Sequence, residues 1–142
     1  MLKKTIAYTN FNDEEVTETF WFNLTEAELA DFQNSNPDGL SMTQYMQQIY
    51  DTKDTQKLYT LMKQILLMTY GEKSADGRHF RKSKEITDDF EHSAAYRVLF
   101  VELMSDANKA SDFIMQCLPK KLRSSVPDDP AEVQALMEKN RG

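Results

Sequence analysis

KKTIAYTNFNDEEVTETFWFNLTEAE, residues 3–28, decides the fold. Ile6 and Tyr8 alternate with Thr5, Ala7 and Thr9, behind a solvated Lys4. Val16, Phe20, Phe22 and Leu24 share a second face, broken by Glu18, and Thr17, Thr19, Trp21 and Asn23 point the other way. Period-two alternation of aromatic and β-branched residues marks half-buried strands. Asn10, Asn12 and Asp13 supply the turn chemistry between them. Thr25-Glu26-Ala27-Glu28 then forms a capping box, in which hydroxyl and carboxylate each satisfy an orphan N–H. The pattern predicts a β-hairpin running into a helix. An isolated hairpin is marginal, so its Phe20/Phe22 face must pack on helices or on another subunit.

Outward from this stretch the spacing is helical, and no other part reads as sheet. The expected fold class is α+β: an N-terminal β-hairpin on a body of about five to seven helices. The first helix runs to about Gln33 and ends at NSNPDG. Ser41-Met42-Thr43-Gln44 caps a second, with Met42, Tyr45, Met46 and Ile49 on one face. Leu58, Leu61, Met62, Ile65, Leu66 and Thr69 mark a longer third helix, with Gly71 placed to end it. GEKSADGRHFRKSK, residues 71–84, reads as the clearest loop and the most basic stretch. A short helix over about 85–91 presents Ile86 and Phe90. AAYRVLFVELM, residues 94–104, is apolar on most sides and is expected to be the central helix. Asp106 caps a last helix carrying Ala110, Phe113, Ile114, Cys117 and Leu118. The organisation expected is one domain over residues 1–122, with hairpin 3–24 and helical body 25–122. Residues 123–142 read as a linker and a short peripheral helix, capped by Asp129 with Pro130 at its first position.

Composition narrows the function classes. The 142 residues carry net charge −6, and 4 glycines and 4 prolines leave little room for linkers. The stretch before Pro119 holds about −7 and the remainder about +1. An acidic chain is repelled by nucleic acid and by anionic lipid. The single cysteine, Cys117, excludes an intramolecular disulfide and fits a reducing cytoplasm. No apolar run approaches the ~20 residues of a membrane span.

Catalytic constellations do not emerge. Cys117 with His79 or His92 is the one Cys/His combination, and Cys117 falls on an apolar helix face, as a small hydrophobe would. His79 sits in a polar loop and His92 near a helix junction. There is no HExxH, no CxxC and no calcium loop, and four scattered glycines cannot cradle a phosphate. Asp13-Glu14-Glu15 and Asp88-Asp89 read as solvated acidic pairs. The reading is therefore a non-enzyme without cofactor or metal. Arg78, Arg81, Lys82 and Lys84 around Phe80 form the weakest kind of nucleic-acid signal. One feature favours binding. Of 8 methionines, all but Met1 lie in predicted helices, and Met42, Tyr45, Met46 and Ile49 are the candidate partner-binding residues.

Three segments carry a resemblance: KKTIAYTNFNDEEVTETFWFNLTEAEL at the start, Tyr70 to Phe80 (YGEKSADGRHF) in the middle, and Ala94 to Leu103 followed by Asp106, Ala107, Phe113 and Leu118-Pro119-Lys120. They cover most of residues 3–122. The chain resembles the small acidic, tail assembly chaperone-like proteins of tailed phages and prophages of Gram-positive bacteria. The resemblance implies a non-virion factor in the host cytoplasm. It would bind the tape measure protein and keep it soluble until tail tube subunits polymerise around it. The tail tube protein is a further partner so implied, and self-association is left open. The alternatives weighed are a minor structural or accessory tail protein and a nucleic-acid-binding regulator built on residues 78–84.

Overall fold

The computed structural model describes residues 1–36 and 38–119. The hairpin is present as β1 (Leu2–Thr9) and β2 (Glu15–Phe22), antiparallel, with Thr5 opposite Thr19 and Leu2 opposite Phe22. Asn10 organises its turn. The Oδ1 atom accepts from the backbone N–H of Asn12 at 2.9 Å and of Glu14 at 3.0 Å, while Asp13 takes the left-handed conformation at φ 61°. Ile6, Phe20, Phe22 and Leu24 are buried, as their alternation predicts. The opposite face is polar: the Thr5 and Thr19 hydroxyls meet at 3.2 Å, and the ammonium groups of Lys3 and Lys73 flank the Trp21 ring at 5.6 and 5.1 Å.

The sheet is larger than the sequence pattern indicates. Residues 71–84, expected as a loop, contain most of a second hairpin, β3 (Tyr70–Lys73) and β4 (Phe80–Arg81), and the strand order is β1-β2-β3-β4. Trp21 pairs with Gly71, and Lys73 with Phe80. These strands are too short and too charged to show alternation. Their turn is held by polar groups. The Asp76 carboxylate accepts from the Ser74 hydroxyl at 2.7 Å and the Arg78 N–H at 3.0 Å, and the Ser74 bond chiefly holds Asp76 below the usual carboxylate range. Gly77 adopts φ 75°, as the Asp-Gly turn signal requires.

Gly71 stands at the expected position just past the end of α3, but it does not take the left-handed conformation of a glycine cap. The third helix stops at Thr69, and Tyr70 is already extended, at φ −68° and ψ 141°. A glycine is needed at 71 for space. A Cβ there would overlap the Phe80 ring and lie 2.8 Å from the Arg81 carbonyl oxygen.

Among the described residues six helices follow the predicted order: α1 (Glu26–Ser35), α2 (Met42–Thr52), α3 (Thr55–Thr69), α4 (Lys84–Glu91), α5 (Ala94–Ser105) and α6 (Ala107–Cys117). Both capping boxes form, at Thr25/Glu28 and Ser41/Gln44. The helices close over the inner face of the sheet, with Phe22 at the centre. Its ring lies 5.0 Å from Phe113, 5.7 Å from Phe90 and 5.8 Å from Tyr70, all edge-on. Tyr70 stacks on Phe90 at 4.0 Å. Two long-range bonds tie the end of β2 to the helices: Asn23 N–H to the Thr69 carbonyl and Leu24 N–H to the Cys117 carbonyl, each 2.8 Å. Cys117 is fully buried, as a small hydrophobe would be. The expected boundary at residue 122 and the short helix from Asp129 lie outside the described residues.

Gly71→Ala is expected to destabilise the domain by ~1–3 kcal/mol, the usual cost of forcing a methyl into a packed site. Urea denaturation checks this. A midpoint equal to that of the parent chain would contradict the tight contact between β3 and Phe80.

Candidate partner-binding face

The methionine face of α2 is turned inward. Met42, Met46 and Ile49 are 3, 2 and 3 % exposed and belong to the core. Tyr45 remains half-buried, edge-on to Phe32 at 5.9 Å, and borders a shallow groove of about 280 Å³ with Gln56, Lys57, Thr60, Leu61 and Gln64. Of the four residues expected to meet a partner, Met42, Met46 and Ile49 thus line the core of the free chain and Tyr45 reaches the surface. Helical periodicity locates an apolar stripe, but it does not say whether the stripe meets a partner or the chain's own core. Here the stripe packs against α3 and α6.

The apolar surface lies instead on α5. Its Ala95, Tyr96, Leu99 and Leu103 are buried, as a core helix requires. The other side of the same helix is also apolar and reaches solvent: Val98 is 41 % and Val101 65 % exposed, beside half-buried Phe100 and Met104. Helix α5, expected to be the central helix, is therefore buried along one side and open to solvent along the other. Tyr59 of α3, 53 % exposed, packs edge-on against Phe100 at 5.0 Å and extends the patch across the α3/α5 groove. Phe11, at the β1–β2 turn and 70 % exposed, extends it the other way, with the Arg97 guanidinium 6.0 Å from its ring.

Charges rim this patch. Lys4 reaches Glu102 at 3.5 Å, with Lys109 4.0 Å from the same carboxylate oxygen, and Lys63 pairs with Glu91 at 3.0 Å. An apolar centre with a polar, ion-paired margin is the layout of a protein-binding surface. Beneath it, Tyr96 stands 5.5 Å from Phe90 and 5.8 Å from Phe100. Burial, with the negative charge of Glu91 second, pushes its phenol up to about 12.

The basic segment is partly committed to the fold. The Lys82 ammonium donates to both Glu28 carboxylate oxygens at 2.8 Å and to the Asn23 carbonyl at 2.7 Å, latching β4 to the start of α1. That leaves Arg78, Arg81 and Lys84 as exposed cations there. His79 is exposed, and His92 ends α4 as its C-cap. Among the described residues no group of three or more His, Cys, Asp or Glu is placed to hold a metal ion. Among them, too, no helix is long and apolar enough to cross a membrane.

The sequence itself has a counterpart. A family model described as phage tail assembly chaperone matches residues 1–141. The chain belongs to the phage tail assembly chaperone family. No curated protein and no solved structure matches it. The family assignment agrees with the resemblance read from the three sequence segments.

The Tyr96 environment carries a pH dependence. In the unfolded chain a tyrosine ionises near pH ~10; in the fold Tyr96 holds its proton to about 12. Its neutral form thus adds stability that is complete below pH ~10 and is lost as pH rises from there toward 12. Tyr96→Phe should flatten the alkaline fall by up to ~1.4 kcal/mol per pH unit. Urea midpoints at pH 9, 10 and 11 check it, and parallel decline of variant and parent would contradict it.

Proposed function

We propose that the chain binds the tape measure protein of its phage in the host cytoplasm and keeps it soluble until tail tube subunits enclose it. The mechanism is stoichiometric shielding without bond chemistry. The observation that carries this reading is the exposed apolar face of α5, with Val101 65 % exposed, in a member of the tail assembly chaperone family. The resemblance implies a client that is a very long, aggregation-prone helical chain. An apolar stripe on such a helix gains ~25 cal/mol per Å² of surface removed from water, whatever its exact sequence. The net charge of −6 on the chaperone keeps the complex dispersed. The client contact is assigned to α5 and Tyr59 rather than to α2, whose Met42, Met46 and Ile49 are engaged in the core.

Co-expression with the tape measure protein tests this. Val98→Asp with Val101→Asp should leave the fold within ~0.5 kcal/mol, because both sites face solvent. The same variant should lower the yield of soluble client several-fold. Undiminished client solubility with the folded double variant would overturn the assignment of the face. Failure of the parent chain to solubilise or co-purify with the tape measure protein would overturn the proposed function itself.

A further inference from the structure

We infer that the free edge of β1 pairs antiparallel with β1 of a second copy of this chain, centred on Ile6, so that two four-stranded sheets become one. The inference stands apart from the client reading above and uses none of it.

The backbone decides which groups are on offer. Strand β1 lies at one end of the order β1-β2-β3-β4. The Asn10 N–H donates to the Glu14 carbonyl at 2.9 Å, so this pair, which continues the β1–β2 register, is a hydrogen-bonded one. Such pairs alternate along an antiparallel ladder. Leu2, Lys4, Ile6 and Tyr8 therefore direct their backbone groups to β2, and Lys3, Thr5, Ala7 and Thr9 turn theirs to the open edge. Among the described residues no other segment bonds to these four backbones. Natural edge strands are usually blunted by a bulge, a proline or an inward-pointing charge. The pairing from Leu2 to Thr9 has no bulge, and the strand has no proline. Its inward-pointing charge, Lys4, is already engaged by Glu102 at 3.5 Å.

Self-pairing fits the side chains. Centred on Ile6, the two-fold sets Lys3 opposite Thr9, and Thr5 opposite Ala7, of the other copy. Every outward residue of each strand then finds a partner, in roughly eight backbone hydrogen bonds. Thr5, Ala7 and Thr9 are small and exposed, so nothing bulky obstructs the seam on the outer face of the sheet. On the inner face the two-fold passes beside Ile6, which its own chain already buries.

Charge selects the antiparallel arrangement. The hairpin is polarised along its length: Lys3 and Lys4 stand at its open end, and Asp13, Glu14, Glu15 and Glu18 at or near its turn. A parallel pairing would set like ends side by side. The antiparallel one brings the lysines of each copy to the acidic turn of the other, and holds the two sets of lysines roughly 14–20 Å apart. Thr9 already stands opposite Glu15. Lys3 of one copy therefore lies across Thr9 from Glu15 of the other, on the same face. Two strand spacings, roughly 10 Å between Cα atoms, are within the joint reach of these side chains. The net charge of −6 on each copy acts at longer range, where physiological salt screens it beyond about 8 Å. The edge that makes the contact carries two lysines and no acid.

Sedimentation equilibrium of the full chain tests the pairing. At about 100 μM, well above a micromolar Kd, the parent should be dimeric. Ala7→Pro removes an outward N–H and no bond to β2, a change that edge strands tolerate. It should keep the circular dichroism of the parent and weaken the dimer about tenfold or more. A monomeric parent, with the edge left to some other polypeptide, would overturn the inference. So would a folded Ala7→Pro chain that dimerises as the parent does. Disulfide formation fixes the register, and decides the matter even if Ala7→Pro fails to fold. Thr5→Cys chains mixed with Ala7→Cys chains should cross-link to each other about tenfold or more faster than either does to itself, because the mixed pair alone is directly opposed. Equal rates would contradict the pairing. Both experiments are run without client, so a failure of the client reading leaves their outcomes unchanged.

Discussion

The structure depends on one cluster of rings around Phe22. A two-stranded hairpin does not hold its shape in water by its own hydrogen bonds. Here Phe22, with no exposed surface, brings together residues from the second hairpin, α4 and α6: Tyr70, Phe90 and Phe113, at 5.0–5.8 Å. Burying such rings contributes roughly 1.5–3 kcal/mol each, enough that losing the centre would loosen the whole. The backbone follows the rings. Asn23 and Leu24, the two residues after β2, bond to Thr69 and Cys117, which closes the sheet onto the ends of α3 and α6.

That closure decides which apolar surfaces remain outside. With the sheet on one side and α3, α4 and α6 around it, α5 can bury about half of its circumference. Ala95, Tyr96, Leu99 and Leu103 take the inner half. The remaining valines have nowhere in the described body to go. Helix α2 is in the opposite position. Its single stripe finds α3 and α6, and its methionines serve as pliable core filling instead of a recognition surface. Rigidity and binding are thus divided between elements: the aromatic cluster holds α5 still, and the outer half of α5 is available to another polypeptide.

Much of this was legible in the residues. Alternation over Ile6–Tyr8 and Val16–Leu24 placed the hairpin and its buried face. Capping chemistry at Thr25, Ser41 and Asp106 placed helix starts, and the structure forms each of these caps. The second hairpin was not legible, because β3 has four residues and β4 two, and their identities suit a charged loop equally well. Gly71 misled for a related reason. A glycine after a helix is usually a cap, whereas here it makes room for the Phe80 ring. Methionine content drew attention to α2, but it does not say that Met42, Met46 and Ile49 are buried in the free chain. A better signal was available in residues 94–104. A helix apolar on most sides in a domain this small leaves one side uncovered, and Val98 and Val101 mark that side.

We propose that the core stays shut over Met42, Met46 and Ile49 while the outer half of α5 contacts the tape measure protein. Hydrogen exchange on the complex, followed by mass spectrometry, measures this most directly. The account predicts slowed exchange over residues 97–104 and around Tyr59, with α2 and the buried face of α3 as protected as in the chaperone alone. Faster exchange in α3 together with a footprint confined to residues 42–52 would contradict it, because the chain would then be opening its core to bind.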